Sequence, residues 1–498
     1  MTPARLTRVL SVTSEIFPLV KTGGLADVTG ALPGALEPLG VRTTTLVPGY
    51  PAVTAAVPDA IQVAHFPDLF GGAARILSGT AAGLDLLVLD APHLFARHGS
   101  PYFGPDGRPW QDNDLRFAAL GAAGAALAAG SAAIADGTLD EAPAGEGFDI
   151  LHAHDWQAAL AAVYLRQHDG PRPGTVLTIH NLAFQGLFPA ALFPRLGLPD
   201  HMFTPAGLEF WGQVSFLKGG LVAADRLTTV SPTYAREITH PAAGAGLDGV
   251  LRDRGTALRG ILNGIDDTVW DPAADTLIPS PFSASRLMRR AANKTALQQR
   301  MGLAEEPGAL LIGIVSRLTE QKGLDLLLDQ IGARAAAGMR FAILGAGDAA
   351  MQAGFLDAAA AHPGRIGCQI GYDESLAHLI QAGADAILMP SRFEPCGLTQ
   401  LCALRYGAIP IVGRVGGLAD TVIDANHAAL AAGVATGIQF APVTGPALAE
   451  ALDRAATLWR DRAVWTRMQR NAMRADVSWR RSALDYAALY HALEAERA

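Results

Sequence analysis

The chain is short of the features that build covalent, metallic or membrane-bound frameworks. Its three cysteines, Cys368, Cys396 and Cys402, are an odd set among 498 residues. They lack metal-ligand spacing, so neither a disulfide scaffold nor a zinc site is expected, no metal is called for, and a reducing cytoplasm is the simplest setting. Positive charge is also scarce. Lys and Arg number 39 against 47 Asp and Glu, a net charge of −8, which offers no footprint for nucleic acid or an anionic membrane. A strand-like run begins within the first ten residues and leaves no room for a signal peptide. The one membrane suspect, 117–134, lacks charge but is mostly Ala and Gly; these drive membrane insertion weakly, so it reads as a close-packed helix of an α/β layer. No Gly-x-Ser-x-Gly elbow and no Walker loop occurs, which removes the main support for a serine hydrolase or a P-loop kinase.

What is present is a rhythm. Apolar runs at 8–14, 41–48, 84–89, 149–154, 175–180 and 226–230 alternate with longer stretches of helical spacing, the pattern of a parallel, doubly wound sheet covered on both faces. A second series follows at 310–316, 340–344, 365–370, 386–389 and 409–412. The length calls for two domains of roughly 200 to 250 residues. Asn263-Gly264-Ile265-Asp266 and the Pro-, Asp- and Ser-rich segment 271–282 between the two series read as a hinge. The expected division is an N-terminal domain 1–260, a C-terminal domain 261–480, and a helix over 481–498 that crosses back onto the first. Facing domains of this kind enclose ligands at the carboxyl ends of their strands.

Several motifs fall at those ends. Lys21-Thr22-Gly23-Gly24-Leu25-Ala26-Asp27-Val28 follows a strand and opens a helix, so its backbone N–H groups, the helix dipole and Lys21 favour an anion. A near copy, Val415-Gly416-Gly417-Leu418-Ala419-Asp420-Thr421-Val422, suggests two similar lobes around one phosphorylated ligand. Arg317 and Lys322, in Ser316-Arg317-Leu318-Thr319-Glu320-Gln321-Lys322-Gly323, either hold a diphosphate or are ordinary charges of a solvated loop. Glu394, in Arg392-Phe393-Glu394-Pro395-Cys396-Gly397-Leu398-Thr399, either accepts sugar hydroxyls ahead of a run of N–H donors or caps the following helix. In His152-Ala153-His154-Asp155-Trp156 the two imidazoles share a strand face; the readings are a metal pair without a third ligand, a structural histidine, or a substrate-contacting Asp155. His180 faces a cleft or closes a strand end by a hydrogen bond. Gly345-Ala346-Gly347-Asp348 lacks the third glycine of a dinucleotide fingerprint.

Together these motifs resemble the bacterial glycogen synthases and plant starch synthases, a family of retaining glucosyltransferases. The resemblance runs nearly end to end and includes Phe210 to Gly220 (FWGQVSFLKGG) and Gly371-Tyr372. It implies two Rossmann-like domains facing across a deep cleft (GT-B type), no cofactor, and transfer of glucose from ADP-glucose to the non-reducing 4-hydroxyl of an α-1,4-glucan with retention at the anomeric carbon. By the same resemblance Lys21, Gly23, Gly24, Arg317 and Lys322 hold the diphosphate, and Glu394 binds glucose hydroxyls. The amides of Cys396, Gly397, Leu398 and Thr399 surround sugar and phosphate, His180 and Asn263 contact glucose, and Tyr372 stacks on adenine. Asp155 and Glu15 are the remaining carboxylates near glucose or acceptor. Many related glycosyltransferases carry a second, ribose-binding glutamate eight positions after the first; here that position is Cys402, as is common in the synthase branch. Cys396 beside Glu394 is expected to react with alkylating agents if it opens to a cleft at a helix N-terminus. Tyr102, Trp110 and Trp211 are candidates for stacking on a glucan. The rivals are a UDP-glucose-dependent relative and a catalytically silent glucan-binding protein. Nothing in the chain sets an oligomeric state.

Overall fold

The structure is a computed structural model and describes residues 6–130 and 147–497. It separates into two compact units, Met1–Asn263 with Trp479–Ala498, and Gly264–Ser478. Among the described residues the first unit holds a nine-stranded sheet, in the order Leu258–Gly260, Arg226–Thr229, Gly174–Ile179, Ile150–His154, Thr7–Val12, Val41–Pro48, Leu84–Asp90, Ala74–Ala81, Ile61–Phe66. Neighbours are parallel as far as Leu84–Asp90, with Val12 beside both Leu46 and Ala153. The last two strands run antiparallel. The central strands are mostly buried, and Ile150–His154 is buried at every position, because helices cover both faces.

The antiparallel edge is absent from the sequence expectation. It turns through Ala82 and Gly83, both at positive φ, a two-residue hairpin whose Ala-Gly pair lacks the usual Asn-Gly signal. A small antiparallel sheet of Leu187–Pro189, Gln213–Ser215 and Glu209–Phe210 was likewise too short to read.

Segment 117–134 resolves as expected where it is described. Helix Asn113–Ala128 is buried along nearly its whole length against the core of the first unit, while 131–134 lie outside the described residues. Among the described residues no helix is long and apolar enough to cross a membrane.

The C-terminal helix Trp479–Ala495 belongs to the first unit. Its Trp479, Tyr490, Leu489 and Leu493 cover Val9, Val28, Ile150 and Val176. Burial of each such side chain contributes about 1.5–3 kcal/mol, so this helix is a structural wall of the sheet.

The second unit is a six-stranded parallel sheet in the order Ile366–Ile370, Arg340–Gly345, Leu311–Val315, Ala386–Met389, Ile409–Gly413, Ile438–Phe440. Segment 271–282 corrects the hinge reading: it is part of this unit's packing. Asp275 is buried, with Oδ2 accepting from the Tyr406 hydroxyl at 2.6 Å and lying 2.8 Å from His378 Nδ1. Trp270 stacks on His378 at 3.9 Å, and Ile278 and Phe282 join the core beside Tyr406. The polar composition that resembles a linker satisfies local turns, as where Asp271 and Asp275 accept from the amides of Ala273 and Leu277.

Candidate active site

In an open α/β sheet the place for a ligand is beyond the carboxyl ends of the strands, where successive connections leave in opposite directions. In the first unit that point lies between Thr7–Val12 and Ile150–His154, in the second between Leu311–Val315 and Ala386–Met389. Glu15 and Asp155 follow the first pair of strands; Arg317 and Glu394 follow the second.

Glu15 is 3% exposed and is held by the glycine-rich turn itself. One carboxylate oxygen accepts from the Thr22 hydroxyl at 2.6 Å and from the Tyr102 hydroxyl. The other accepts from the Thr22 amide and, at 3.3 Å, from the Gly23 amide. The anion in the cradle is therefore the protein's own, which corrects the expectation of an open phosphate nest. Lys21 extends from the turn, pairing with Asp27 at 2.7 Å and lying over the Phe17 ring; Gly24 begins helix Gly24–Leu36. Tyr102 spends its hydroxyl on Glu15 and Ser14, not on an open stacking face, and Trp110 donates to the Ser100 carbonyl beneath Arg97. Of the three candidate stacking aromatics, Trp211 is open, at 81% exposed.

The histidines converge, as their shared strand face requires, but into a hydrogen-bonded row. His152 lies 2.8 Å from the Tyr490 hydroxyl and 2.6 Å from Thr178 Oγ1, stacks on His154 at 4.0 Å, and His154 Nδ1 lies 3.1 Å from His180 Nε2. Burial lowers His152 and His180 to about 3 and holds His154 well below the usual range, so all three are neutral at neutral pH. Asp155 turns out of its strand at φ +58. Its Oδ1 accepts from the His180 amide at 2.8 Å and from the Asn181 amide at 3.5 Å, and burial pushes its carboxyl up to about 7. Its visible work is to hold the turn that carries His180. Among the described residues no group of His, Cys, Asp and Glu has the arrangement of a metal site. Asn263, 8% exposed, ends the first unit with Oδ1 unpartnered among the described residues.

In the second unit Lys322 Nζ lies 2.5 Å from Glu394 Oε2, a pair whose side chains are 17% and 7% exposed. Ser391 Oγ donates to the same oxygen at 3.0 Å. Glu394 does not cap the following helix: helix Thr399–Tyr406 starts after Leu398, with no side-chain cap. Two glycine contacts bring these loops together. Gly323, at φ +65, sits so near the Pro390 carbonyl that a Cβ would lie 2.0 Å from the oxygen. Gly416 and Gly417 press on Glu394 and Cys396, where added Cβ atoms would meet carbonyl oxygens at 1.9 and 2.2 Å, and the Gly417 amide donates to the Glu394 carbonyl at 3.1 Å. The second glycine block is thus the packing bed of the Glu394 loop, not a second phosphate nest; its likeness to the first lies in letters, not in use.

Arg317 is exposed, reaching Gln321 at 3.5 Å, while Gln321 Nε2 donates to the Phe393 carbonyl at 3.3 Å. Arg392 locks the two loops through a bidentate pair with Asp325 at 2.7 and 2.6 Å. Gly345 to Asp348 is spent on pairing with the Arg317 loop: Leu318 donates to the Ala346 carbonyl at 2.9 Å and Asp348 to that of Leu318 at 2.7 Å. Tyr372 is 75% exposed. Cys396 is 4% exposed, so the condition set for a reactive thiol, an opening to the cleft, is not met. Gly397, at φ +75, turns the chain into the helix. Sequence reasoning missed Ser391, Gln321 and His154 as supports of Glu394, Arg317 and His180. Only their positions at or shortly after strand ends pointed to them.

The match to known proteins follows the same division. Residues 8–253 match the starch synthase catalytic domain and residues 297–472 the group 1 glycosyl transferases. Fold and site define a two-domain glycosyltransferase. Glycogen synthases of Rhodopseudomonas palustris (strain BisA53) and Methylocella silvestris are 58% and 57% identical to this chain, each over 98% of it and over 98% and 99% of themselves. The catalytic domain of starch synthase IV from Arabidopsis thaliana, solved with ADP and acarbose, has a TM-score of 0.85 at 30% identity, covering 99% of this chain and 100% of its own. The chain belongs to the glycogen and starch synthase family.

Proposed function

We propose that this enzyme transfers glucose from ADP-glucose to the non-reducing 4-hydroxyl of an α-1,4-glucan with retention, in the cytoplasm. The observation that carries the reading is the Lys322–Glu394 pair at a sheet switch point, in a chain that glycogen synthases match along nearly its whole length. The ADP in the Arabidopsis starch synthase supports the nucleotide, and its acarbose supports a glucan acceptor.

In this reading the pair is the resting state. A diphosphate replaces Glu394 as the partner of Lys322, with Arg317 and Lys21 beside it, and the freed carboxylate accepts glucose hydroxyls. Tyr372 stacks on adenine, and the amides of Cys396 to Thr399 hold sugar and phosphate oxygens. The bond from the anomeric carbon to the phosphate oxygen then breaks while the acceptor 4-oxygen bonds the same face. The acceptor proton passes to the departing phosphate, so no covalent carboxylate intermediate of the usual retaining kind is needed. The main contribution of the protein is fixed positive charge around leaving ADP and a polar surround for the oxocarbenium-like sugar. His180 and Asn263 serve glucose as neutral hydrogen-bonding groups; Glu15 and Asp155 keep the loops of the first unit in place.

The test is nucleotide release from ADP-glucose and UDP-glucose, with and without glycogen primer. Primer-dependent release from ADP-glucose, lost in Lys322→Ala, is expected. Release from UDP-glucose alone refutes the donor, and release from neither refutes the catalytic reading in favour of a glucan-binding protein.

A further inference from the structure

The first unit carries a second charged site, at the amino ends of its strands and therefore on the edge opposite the switch point. A pocket of about 330 Å³ is lined by Arg166, Asp225, Arg226, Arg254, Glu496 and Arg497 with Ala224 and Leu493. Four guanidinium groups face two carboxylates, which leaves two positive charges in excess.

Neither carboxylate is free to balance that excess. Asp225 Oδ2 already accepts from the Thr175 amide at 2.9 Å and the Thr175 hydroxyl at 2.8 Å, and its oxygens lie 3.7 and 3.4 Å from Arg166 and Arg497. Among the described residues Arg254 has no carboxylate partner within ion-pair distance; its donors go to the carbonyls of Leu221, Val222, Ala224 and Asp225 at the end of helix Phe216–Ala223. Arg166 uses Nε on the Ala223 carbonyl. Burial, then repulsion from the other arginines, lowers the pKa of both Arg254 and Arg166. Arg226 gives Nη2 to both oxygens of Glu496, the residue before the described end of the chain, and Nη1 to the Asp225 carbonyl at 3.1 Å.

From this arrangement we infer that the pocket is a binding site for a phosphate dianion, free or esterified to a small sugar, which displaces Glu496 from Arg226. A guanidinium nitrogen that already holds both oxygens of a carboxylate can take phosphate oxygens in their place, with the neighbouring arginines adding charge. A dianion meets the two excess charges and part of the third that appears when Glu496 leaves, and the volume accommodates a group of that size. Glu496 acts as the tethered competitor, so that binding frees the last turn of the C-terminal helix. No part of the donor-sugar machinery lines the pocket, so the inference stands apart from the proposed transferase reaction.

The experiment titrates inorganic phosphate, and separately a hexose monophosphate, into the full chain carrying Lys322→Ala, which weakens phosphate binding at the proposed donor site. Calorimetry reads affinity, and hydrogen exchange reads the amides around Leu493. Binding is expected to persist in that background, to tighten several-fold on adding Glu496→Gln, and to weaken at least about tenfold on adding Arg226→Gln with Arg497→Gln. Arg166 and Arg254, which hold the helix end, are left in place so that the fold is kept. A tighter hexose monophosphate marks the ester as the ligand; equal affinity marks the phosphate group alone. Absence of binding, loss of binding in Lys322→Ala itself, or indifference to the paired arginine changes overturns the inference.

Discussion

Acid is expected to loosen the first unit long before the second, and the size of the effect follows from the histidine row. His152 and His180 titrate near 3 in the folded chain and His154 well below its usual value. Once unfolded, each takes up a proton near 6.5. Asp155 acts in the opposite sense, keeping its proton up to about 7 when folded and losing it near 3.9 when unfolded. At pH 5 the unfolded chain therefore binds three protons on the histidines, while the folded chain binds one on Asp155. The unfolded state holds the larger number, so stability rises with pH; the difference of two protons corresponds to about 2.7 kcal/mol per pH unit between about pH 6 and 4. A domain has about 5–15 kcal/mol in all, so a third of it or more is gone within that window. In the second unit His378 has the other sign, raised by its bonds to Glu374 and Asp275 against the cost of burial. Its contribution is full below the unfolded value and is lost as pH rises through the folded one. The assay is native-state hydrogen exchange from pH 6 to 4, corrected for intrinsic rates. Amides of Ile150–His154 and Gly174–Ile179 are compared with those of Leu311–Val315. His154→Asn should reduce the slope to about 1.4 kcal/mol per pH unit. Protection of the first unit that does not change with pH, or a slope untouched by that substitution, would refute the reasoning.

Four further outcomes are expected. Lys322→Ala or Arg317→Ala should lower kcat by about 10²–10³-fold, a barrier rise of about 3–4 kcal/mol; near-normal turnover in both would remove the electrostatic account of leaving-group departure. Gly323→Ala should lower kcat as Lys322→Ala does, because its Cβ meets the Pro390 carbonyl at 2.0 Å. Gly302→Ala, at a similar φ of +64 with nothing near its Cβ, should cost about 1 kcal/mol of stability and leave turnover alone; equal kinetic damage from the two would sink the close-approach argument. Iodoacetamide should label no cysteine rapidly at neutral pH, since Cys396 and Cys402 are each 4% exposed and burial pushes Cys368 up to about 11; fast loss of activity with Cys396 labelled would contradict its burial. Tyr372→Ala should raise KM for ADP-glucose with kcat little changed, and an unchanged KM would remove the adenine contact.

Much of this was legible because parallel strands buried on both faces are written as unbroken apolar runs, and ligand-facing residues follow such runs directly. Asp155, His180, Arg317 and Glu394 could all be placed by that rule, whereas Glu15 came only from the family resemblance. What escaped were relations set by tertiary contact. The two Gly-Gly-Leu-Ala-Asp blocks have the same letters, yet one cradles a carboxylate and the other makes room for a neighbouring loop. Asp275 looked like linker composition because its partners, His378 and Tyr406, lie more than a hundred residues away. Tyr102 carries no local sign that its hydroxyl will end on Glu15. The antiparallel edge was missed because its turn is Ala-Gly.

The last helix, Trp479–Ala495, lies with the first unit while 215 residues of the second, 264–478, come between. A ribosome makes this chain as a sentence with a long parenthesis. The inner clause is complete once Ser478 has left the exit tunnel, but the outer one waits for its closing words. Until then Val9, Val28, Ile150 and Val176, early in synthesis, have no cover. A nascent chain stalled before Trp479 should therefore hold a finished inner unit beside an outer one that chaperones still recognise. A deletion of a few C-terminal residues should harm most the part of the molecule that was made first.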